Sequence, residues 1–305
     1  MEKPFILHMF TPEKNPSPFD VNMALDAGWL STIPYTQLEL GEITGLVQDV
    51  VFSRSASGVK RTGIFIGGRD PKAAIDMLRA AQKSMVPPFE VSVFADPSGA
   101  FTTAAAMVAM VERELEKNHG TNLHGKSVLA LGGTGPVGQI AAVLAAQAGA
   151  KVKLVGRQLE RAQNVAAQCN AEYGNGATDI EGAADADKPE LIKTADVVFA
   201  TAAAGIEVLS AALVASAPKL KVAADVNAVP PAGIAGLDAF HKGTPIAGSN
   251  SGAVGIGALA IGNVKYQTQN RLLNQMRFQT RKGDKPVYLH YEHAFETARE
   301  LAKKL

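Results

Sequence analysis

The sequence is poor in cysteine, in aromatic residues and in any excess of charge. Cys169 is the single cysteine of 305 residues, which excludes an internal disulfide, and no Cys/His spacing is typical of a metal site. Aromatic residues make up 6% of the chain, whereas Ala and Gly are abundant, which favours helices packed closely on a sheet. Thirty basic and 29 acidic residues give a net charge of +1, which favours a small-molecule partner over nucleic acid.

A long hydrophobic run suited to a membrane is also missing. Segments 127–150 and 243–264 contain no charged residue, but both are interrupted by Gly, Ser, Pro, Asn or Gln. The first 20 residues have too short an apolar stretch and too early a charge for a cleaved signal peptide. Together with the single cysteine, these features predict a cytoplasmic protein that does not cross a membrane.

The length predicts two α/β lobes with a substrate cleft between them, because 305 residues exceed what one hydrophobic core usually organises. The smaller substrate lobe is expected over residues 1–105, joined by a C-terminal helical segment, 284–305. Its apolar patterns predict strands at 5–10, 50–53, 62–66 and 90–94, a helix at 18–27, a helix capped by Asp70, and a long helix ending at Gly120.

The second lobe, residues 106–283, is predicted to be Rossmann-like with a parallel sheet. It opens with a strand at 127–131, a glycine-rich turn, an Ala-rich helix and a strand at 152–155, which together make a βαβ unit. A helix at 158–173, strands at 197–201 and 221–225, and a helix after Gly257 follow.

The turn in this unit carries the pattern G-x-G-x-x-G at Gly133, Gly135 and Gly138. The pattern follows a predicted strand and opens a predicted helix, where free N–H groups and the helix dipole attract a pyrophosphate. Thr134, Pro136 and Val137 complete the predicted cofactor loop. The alternative is that these glycines only form a tight strand-to-helix turn.

Arg157 stands about 20 residues beyond the glycines, where an acidic residue would hold the ribose 2′-hydroxyl of NAD. A cation at this position favours the 2′-phosphate of NADP, although an ordinary solvated arginine is the alternative. We therefore expect NADP or NAD as the cofactor, with an edge for NADP.

Small residues after three further predicted strand ends leave room for a nicotinamide ring. Each of these segments is also compatible with an ordinary loop. The candidate cofactor contacts are Thr201, Ala202, Asn227, Val229 and Gly257.

Five segments carry a resemblance to a known family: SPFDVNMALDAG, RTGIFIGG, FADPSGAFTTAAAMVA, DVNAVPPAGIAGLDA and GAVGIGALAIGNVKYQTQ. Together they resemble the methylene-tetrahydromethanopterin dehydrogenases of one-carbon metabolism, over nearly the whole chain. SPFDVNMA and GNVKYQTQ are closer to the form that uses either NAD or NADP than to the strictly NADP-dependent form. The resemblance implies a homo-oligomer that oxidises 5,10-methylene-tetrahydromethanopterin to the methenyl cation during formaldehyde oxidation in methylotrophs.

This chemistry asks for few catalytic groups, because hydride transfer leaves a delocalised cation and moves no proton. Asp20 is a candidate for binding the pterin or stabilising the cation, with a helix N-cap as the alternative. Lys265 resembles the lysine that the family places near the cofactor and pterin, although exposed helical lysines are usually solvated. Candidate pterin contacts are Asp96, Ser98 and Thr102, each of which is also suited to capping a helix.

Two other functions remain open from the sequence. One is a methylene-tetrahydrofolate dehydrogenase, since the pterin core and the hydride step are shared. The other is a non-catalytic NADP-binding sensor, because a dinucleotide lobe serves many functions. The predicted first lobe argues against the sensor, which has no need of a second, pterin-sized cleft wall.

Overall fold

The structure is a computed structural model that describes residues 3–174, 176–281 and 285–305. Contacts between Cα atoms divide the chain into two compact units. The first unit comprises Met1–Thr102 and Tyr266–Thr297, and the second comprises Thr103–Lys265 and Ala298–Leu305. Each unit is built around its own β-sheet.

Strands and helices alternate along most of the described chain. The strands are β1 (Ile6–Phe10), β2 (Ser31–Tyr35), β3 (Thr62–Ile66), β4 (Ser92–Ala95), β5 (Ser127–Leu131), β6 (Lys151–Gly156), β7 (Ile180–Ala184), β8 (Val197–Ala200), β9 (Val222–Asp225), β10 (Lys242–Pro245), β11 (Val254–Ile256) and β12 (Tyr288–Leu289). The helices are α1 (Pro18–Asp26), α2 (Ile43–Phe52), α3 (Ala56–Val59), α4 (Pro71–Lys83), α5 (Ala100–His119), α6 (Pro136–Gln147), α7 (Leu159–Tyr173), α8 (Lys188–Leu191), α9 (Ala211–Ala215), α10 (Ala258–Arg281) and α11 (Tyr291–Ala302).

The first unit contains a parallel sheet of strand order β12-β4-β3-β1-β2 in the described residues. Strand β3 is buried along its whole length, as expected for a parallel strand covered on both faces. Phe65 packs edge-to-face on Phe94 of the next strand, with ring centroids 5.5 Å apart. Trp29 is buried and donates from Nε1 to the carbonyl of Leu273 at 3.3 Å, which ties α10 into the same core.

The predicted strand at 50–53 is wrong, because these residues end α2. Ile43, Val47, Val50 and Val51 are the buried positions of this helix, and their spacing follows the helical period. Val50 and Val51 are β-branched and by themselves favour a strand. The helical period becomes visible only when the upstream apolar residues of α2 are included. Strand β2 was not predicted from the sequence; it is a short edge strand whose residues are all exposed or half-buried, and it contains Pro34.

The helix predicted after Asp70 is confirmed as α4. The Asp70 carboxylate accepts hydrogen bonds from the backbone N–H groups of Lys72 at 2.8 Å and Ala73 at 3.2 Å. Pro71 follows at the first helical position, where its missing N–H costs nothing. This local signal was sufficient to predict the start of α4, because the cap involves only residues that are neighbours in the sequence.

The second unit contains a sheet of order β10-β11-β9-β8-β5-β6-β7 among the described residues. All neighbouring strands are parallel except β10, which pairs antiparallel with β11. The predicted Rossmann-like α/β architecture is therefore confirmed, with an antiparallel edge strand added. Strands β7, β10 and β11 were not predicted from the sequence. No helix in the described part of the chain is both long and apolar enough to span a membrane.

The lowered pKa of His290 predicts how the stability of the first unit depends on pH. Burial, followed by the nearby charges of His293 and Arg79, lowers the pKa of His290 from 6.5 to about 4. The unfolded chain therefore takes up a proton as the pH falls below about 6.5, whereas the folded chain resists it until about pH 4. We expect the free energy of unfolding to fall over this window by up to about 3 kcal/mol from this group.

Urea unfolding at pH 7 and at pH 4.5 measures this effect. In His290→Gln the loss of stability on acidification should be smaller than in the wild type. The exposed His124 provides the control variant His124→Gln, which should keep the wild-type pH dependence. An equal loss of unfolding free energy between pH 7 and pH 4.5 in all three proteins would contradict the prediction.

Candidate cofactor and substrate sites

The glycine-rich turn lies at the point where the strand order of the second sheet reverses. From β5 the chain moves to β6 and β7 on one side, and then crosses to β8 and β9 on the other. The loops after β5 and β8 therefore flank a crevice at the carboxyl edge of the sheet, which is where open α/β sheets bind ligands. A Cβ built at Gly132 would lie 2.6 Å from the backbone nitrogen of Ala202, so the two loops approach closely.

The three glycines of the motif are required for different reasons. A Cβ at Gly133 would meet the Ala130 carbonyl at 2.6 Å, and one at Gly138 would meet the Cα of Gly133 at the same distance. At Gly135 a Cβ would stay 3.5 Å from the nearest protein atom, the Gly132 carbonyl oxygen. Packing explains Gly133 and Gly138, whereas the bare backbone at Gly135 leaves room for a pyrophosphate at the start of α6.

Arg157 lies directly after β6, beside the glycine loop. Together with Thr134, Gln158 and Arg161 it lines a small cavity of about 280 Å³. Arg161, in the first turn of α7, was not singled out from the sequence. The structure thus brings two exposed guanidinium groups to the position where a ribose 2′-phosphate is expected.

Asn227 and the missed residue Asp225 hold the loop after β9 in shape. The buried carboxylate of Asp225 accepts backbone hydrogen bonds from Asn227 at 2.9 Å and Gly233 at 2.6 Å. The Asn227 side chain accepts from the N–H groups of Gly205 and Val229 and donates to the Pro231 carbonyl. Desolvation raises the pKa of Asp225, against the effect of these hydrogen bonds. Asp225 thus fixes the loop after β9, and Asn227 links this loop to Gly205 in the loop after β8, which makes Asn227 a support of the crevice.

The other predicted cofactor contacts differ in exposure. Thr201 is buried and donates from Oγ1 to the Leu131 carbonyl at 3.0 Å, at the crevice. Val229 is exposed at the tip of its loop. Gly257 is buried where a Cβ would collide with the carbonyls of Asp238 and Ala239, so packing alone requires a glycine there. Lys265 is half-buried in α10 and belongs to the second unit.

The first unit has a crevice of the same kind. Strand β1 leads to β2 on one side and the chain then returns to β3 on the other, so the order reverses between β1 and β3. A cavity of about 580 Å³ lies at the carboxyl ends of these strands, lined by parts of segments 9–18 and 65–69 together with Asp20 and Ser98. The first unit therefore offers a ligand site formed from its own residues.

Asp20 lies on the wall of this cavity and does not cap its helix. Helix α1 begins at Pro18, with Ser17 at the N-cap position, so Asp20 sits within the first turn. Its side chain is 4% exposed, and Oδ1 accepts a hydrogen bond from Nε2 of Gln269 at 2.9 Å. A carboxylate held this way at a cavity wall can meet a polar or cationic group of a ligand.

Asp96 and Thr102 form a helix cap. The carboxylate of Asp96 accepts from the backbone N–H of Phe101 at 3.0 Å, from that of Thr102 at 3.2 Å, and from the Thr102 hydroxyl at 2.6 Å. Both side chains are fully buried, and neither lines the cavity described above. Ser98 does line the cavity; it has a φ of 52° and donates to the Gly68 carbonyl at 2.8 Å.

A glycine turn at the reversal point of a mostly parallel sheet defines a dinucleotide-binding α/β protein of the Rossmann type. Residues 18–98 match the family model of the N-terminal region of methylene-tetrahydromethanopterin dehydrogenase. The NAD(P)-dependent methylenetetrahydromethanopterin dehydrogenase of Methylorubrum extorquens is 46% identical over 97% of this chain and 98% of that protein. The chain belongs to the methylene-tetrahydromethanopterin dehydrogenase family, as the sequence resemblance predicted.

The chain is also similar to two further proteins. A bifunctional protein MdtA of Methylorubrum extorquens is 34% identical over 97% of this chain and 99% of that protein. The quinate dehydrogenase of Corynebacterium glutamicum, solved in complex with NAD, is 15% identical and gives a TM-score of 0.52. The similarity covers 96% of this chain and 98% of that chain, and it supports the fold alone.

Proposed function

We propose that this protein is an NAD(P)-dependent dehydrogenase that converts 5,10-methylene-tetrahydromethanopterin into the 5,10-methenyl cation in formaldehyde oxidation. The observation that carries the proposal is 46% identity over nearly the full length of both chains to a dehydrogenase of that name. The glycine turn at the reversal point of the second sheet supports the use of a dinucleotide. The cavity of the first unit supports the binding of a second ligand.

The residues around the glycine turn fit NADP or NAD. Gly135 and the first turn of α6 would hold the pyrophosphate, because the backbone there is bare and carries the positive end of the helix dipole. Asp225 and Asn227 keep the shape of the loops beside the nicotinamide position. When bound, the cofactor supplies the nicotinamide C4 atom that accepts a hydride.

The pterin is assigned to the cavity of the first unit. The Asp20 carboxylate stabilises positive charge as the methenyl cation forms, and Ser98 contributes a polar contact at the same wall. Lys265 of α10 stays a candidate from the sequence resemblance for a contact to a pterin carbonyl. Asp96 and Thr102 support Ser98 indirectly, by fixing the start of α5. No residue is assigned the role of a general base. The substrate becomes the methenyl cation by losing a hydride, and this step releases no proton.

Arg157 and Arg161 predict a preference for NADP over NAD. Two guanidinium groups at the cavity next to Thr134 can form charge-assisted hydrogen bonds to a 2′-phosphate, which NAD lacks. Arg157→Ala should raise the KM for NADP about 10-fold, as for a lost hydrogen bond to a charged group, and leave the KM for NAD nearly unchanged. Initial-rate kinetics with both cofactors provide the measurement.

The exposed Lys151 at the opposite end of β6 gives the control variant Lys151→Ala, which also removes one positive charge. It should leave both KM values as in the wild type. An equal effect of Arg157→Ala on NADP and NAD would contradict a 2′-phosphate contact.

The function is tested by NADH and NADPH formation with purified protein. Methylene-tetrahydromethanopterin and methylene-tetrahydrofolate are compared under the same conditions. Turnover of the methanopterin substrate supports the proposal, and turnover of the folate substrate alone replaces it with a folate dehydrogenase. Dinucleotide binding without turnover of either substrate would favour a sensor. The cytoplasmic location and the homo-oligomeric state stay predictions from the sequence.

A further inference from the structure

The side chain of Asp20 is held by a residue far away in sequence. Within α1, Asp20 lies in the first turn and is not the N-cap, which is Ser17. Gln269 of α10 donates from Nε2 to Oδ1 of Asp20 at 2.9 Å, across a separation of 249 residues. The long separation shows that this contact depends on the tertiary fold of the first unit.

Both partners of this hydrogen bond are buried. Gln269 is 0% exposed, and Asp20 is 4% exposed while lining the cavity. A buried amide is costly unless its polar atoms are hydrogen-bonded, and a bond to a carboxylate is among the stronger ones. An apolar side chain at position 269 would suit a core-facing helix position without that cost, so the amide calls for an explanation.

A glutamine amide has a property suited to a site where a substrate cation forms. Its planar NH₂ group fixes the orientation of the carboxylate, but the amide itself carries no charge. An arginine or lysine at this position would add a full positive charge next to Asp20 and weaken the attraction for a cationic product.

We propose that Gln269 is a positioning residue, which orients the Asp20 carboxylate toward the cation that forms on the pterin. The inference rests on the role of Asp20 in the proposed function. It predicts that Gln269 affects turnover only through Asp20. Substituting it should change kcat while the affinity for the dinucleotide stays the same.

The test is a double-mutant cycle with Gln269→Met and Asp20→Asn, assayed with methylene-tetrahydromethanopterin and NADP. Methionine keeps the length of glutamine but removes the donor. Gln269→Met should lower kcat about 10-fold or more, since a misplacement of ~1 Å at a reacting centre costs on the order of 100-fold. In the Asp20→Asn background, the same substitution should lower kcat no further, because the group through which it acts is already gone.

A control variant and a second test variant separate this role from a structural one. Gln82→Met removes an exposed glutamine of α4 in the same unit and should leave kcat unchanged. Gln269→Asn keeps an amide but shortens it, and it serves as the second variant if Gln269→Met does not fold. Melting temperature and dinucleotide affinity are measured for every variant.

Additive effects in the cycle, or a kcat of the variants equal to that of Gln82→Met, would overturn the inference. So would a loss of kcat that is accompanied by an equal loss of dinucleotide affinity, which is the sign of a general structural defect. If the wild type itself does not turn over the methanopterin substrate, the proposed function fails and the inference fails with it. If the wild type is active and Asp20→Asn is impaired, a normal Gln269→Met protein overturns the inference alone.

Discussion

Replacing Asp20 with Asn is expected to lower kcat about 100-fold or more, the cost typical of removing one group that stabilises transition-state charge. The carboxylate lies at the cavity wall of the first unit, where the substrate acquires positive charge in the proposed reaction. Asparagine keeps the size of the side chain but removes the negative charge. Single-turnover kinetics at saturating NADP and pterin measure the hydride step directly, without a contribution from product release.

Helix α1 itself supplies the control for this variant. Asp26→Asn removes an exposed carboxylate from the last residue of the same helix and should turn over at the wild-type rate. NADP affinity should be unchanged in both variants, since the glycine turn belongs to the other unit. A wild-type kcat in Asp20→Asn would remove the residue from the proposed mechanism. By the same criterion, unchanged turnover and pterin affinity in Lys265→Ala would remove the lysine.

The second large effect is expected from a matched pair of glycine variants. Gly138→Ala should lower the free energy of unfolding by about 1–3 kcal/mol, because the new Cβ overlaps packed atoms that cannot withdraw freely. Those atoms are the Cα of Gly133 and the Oγ1 of Thr201, both 2.6 Å from the Cβ position. Gly135→Ala has no such overlap and should cost less than about 1 kcal/mol, the cost of replacing a glycine N-cap.

Dinucleotide binding should show the opposite order. Gly135→Ala places a methyl group where the pyrophosphate approaches, so we expect the Kd for NADP to rise about 10- to 100-fold, equivalent to about 1–3 kcal/mol. Urea unfolding and fluorescence titration with NADPH give the two quantities for both variants. If Gly135→Ala binds NADP like the wild type, the pyrophosphate does not lie against this residue.

Local signals were sufficient for much of the fold. Strand β5, the glycine turn, α6 and β6 follow one another in the chain, and each is defined by contacts between near neighbours. The Asp70 cap of α4 was equally local. Structure that depends on longer stretches was harder to predict, as the helix at 43–52 shows. A short β-branched run does not decide between helix and strand until its burial pattern is known.

The candidate site divides in the same way. Gly135 was found because its motif is contiguous, and Asp20 because its segment resembles a known family. Arg161 carried a readable signal, since it is a second arginine only four residues after Arg157, in the first turn of the helix that follows β6. Gln269 carried none, because its partner Asp20 lies 249 residues away, whereas the partners of Asp225 lie in the loop that directly follows it.

The sequence by itself determined that the chain is an α/β protein with a dinucleotide turn and a family relationship along nearly its whole length. Those properties depend on short-range patterns and on residue identity. The tertiary structure alone decided which residues line the cavity of the first unit and that Gln269 contacts Asp20. These contacts arise when packing brings distant segments together, and no local spacing in the chain encodes that arrangement.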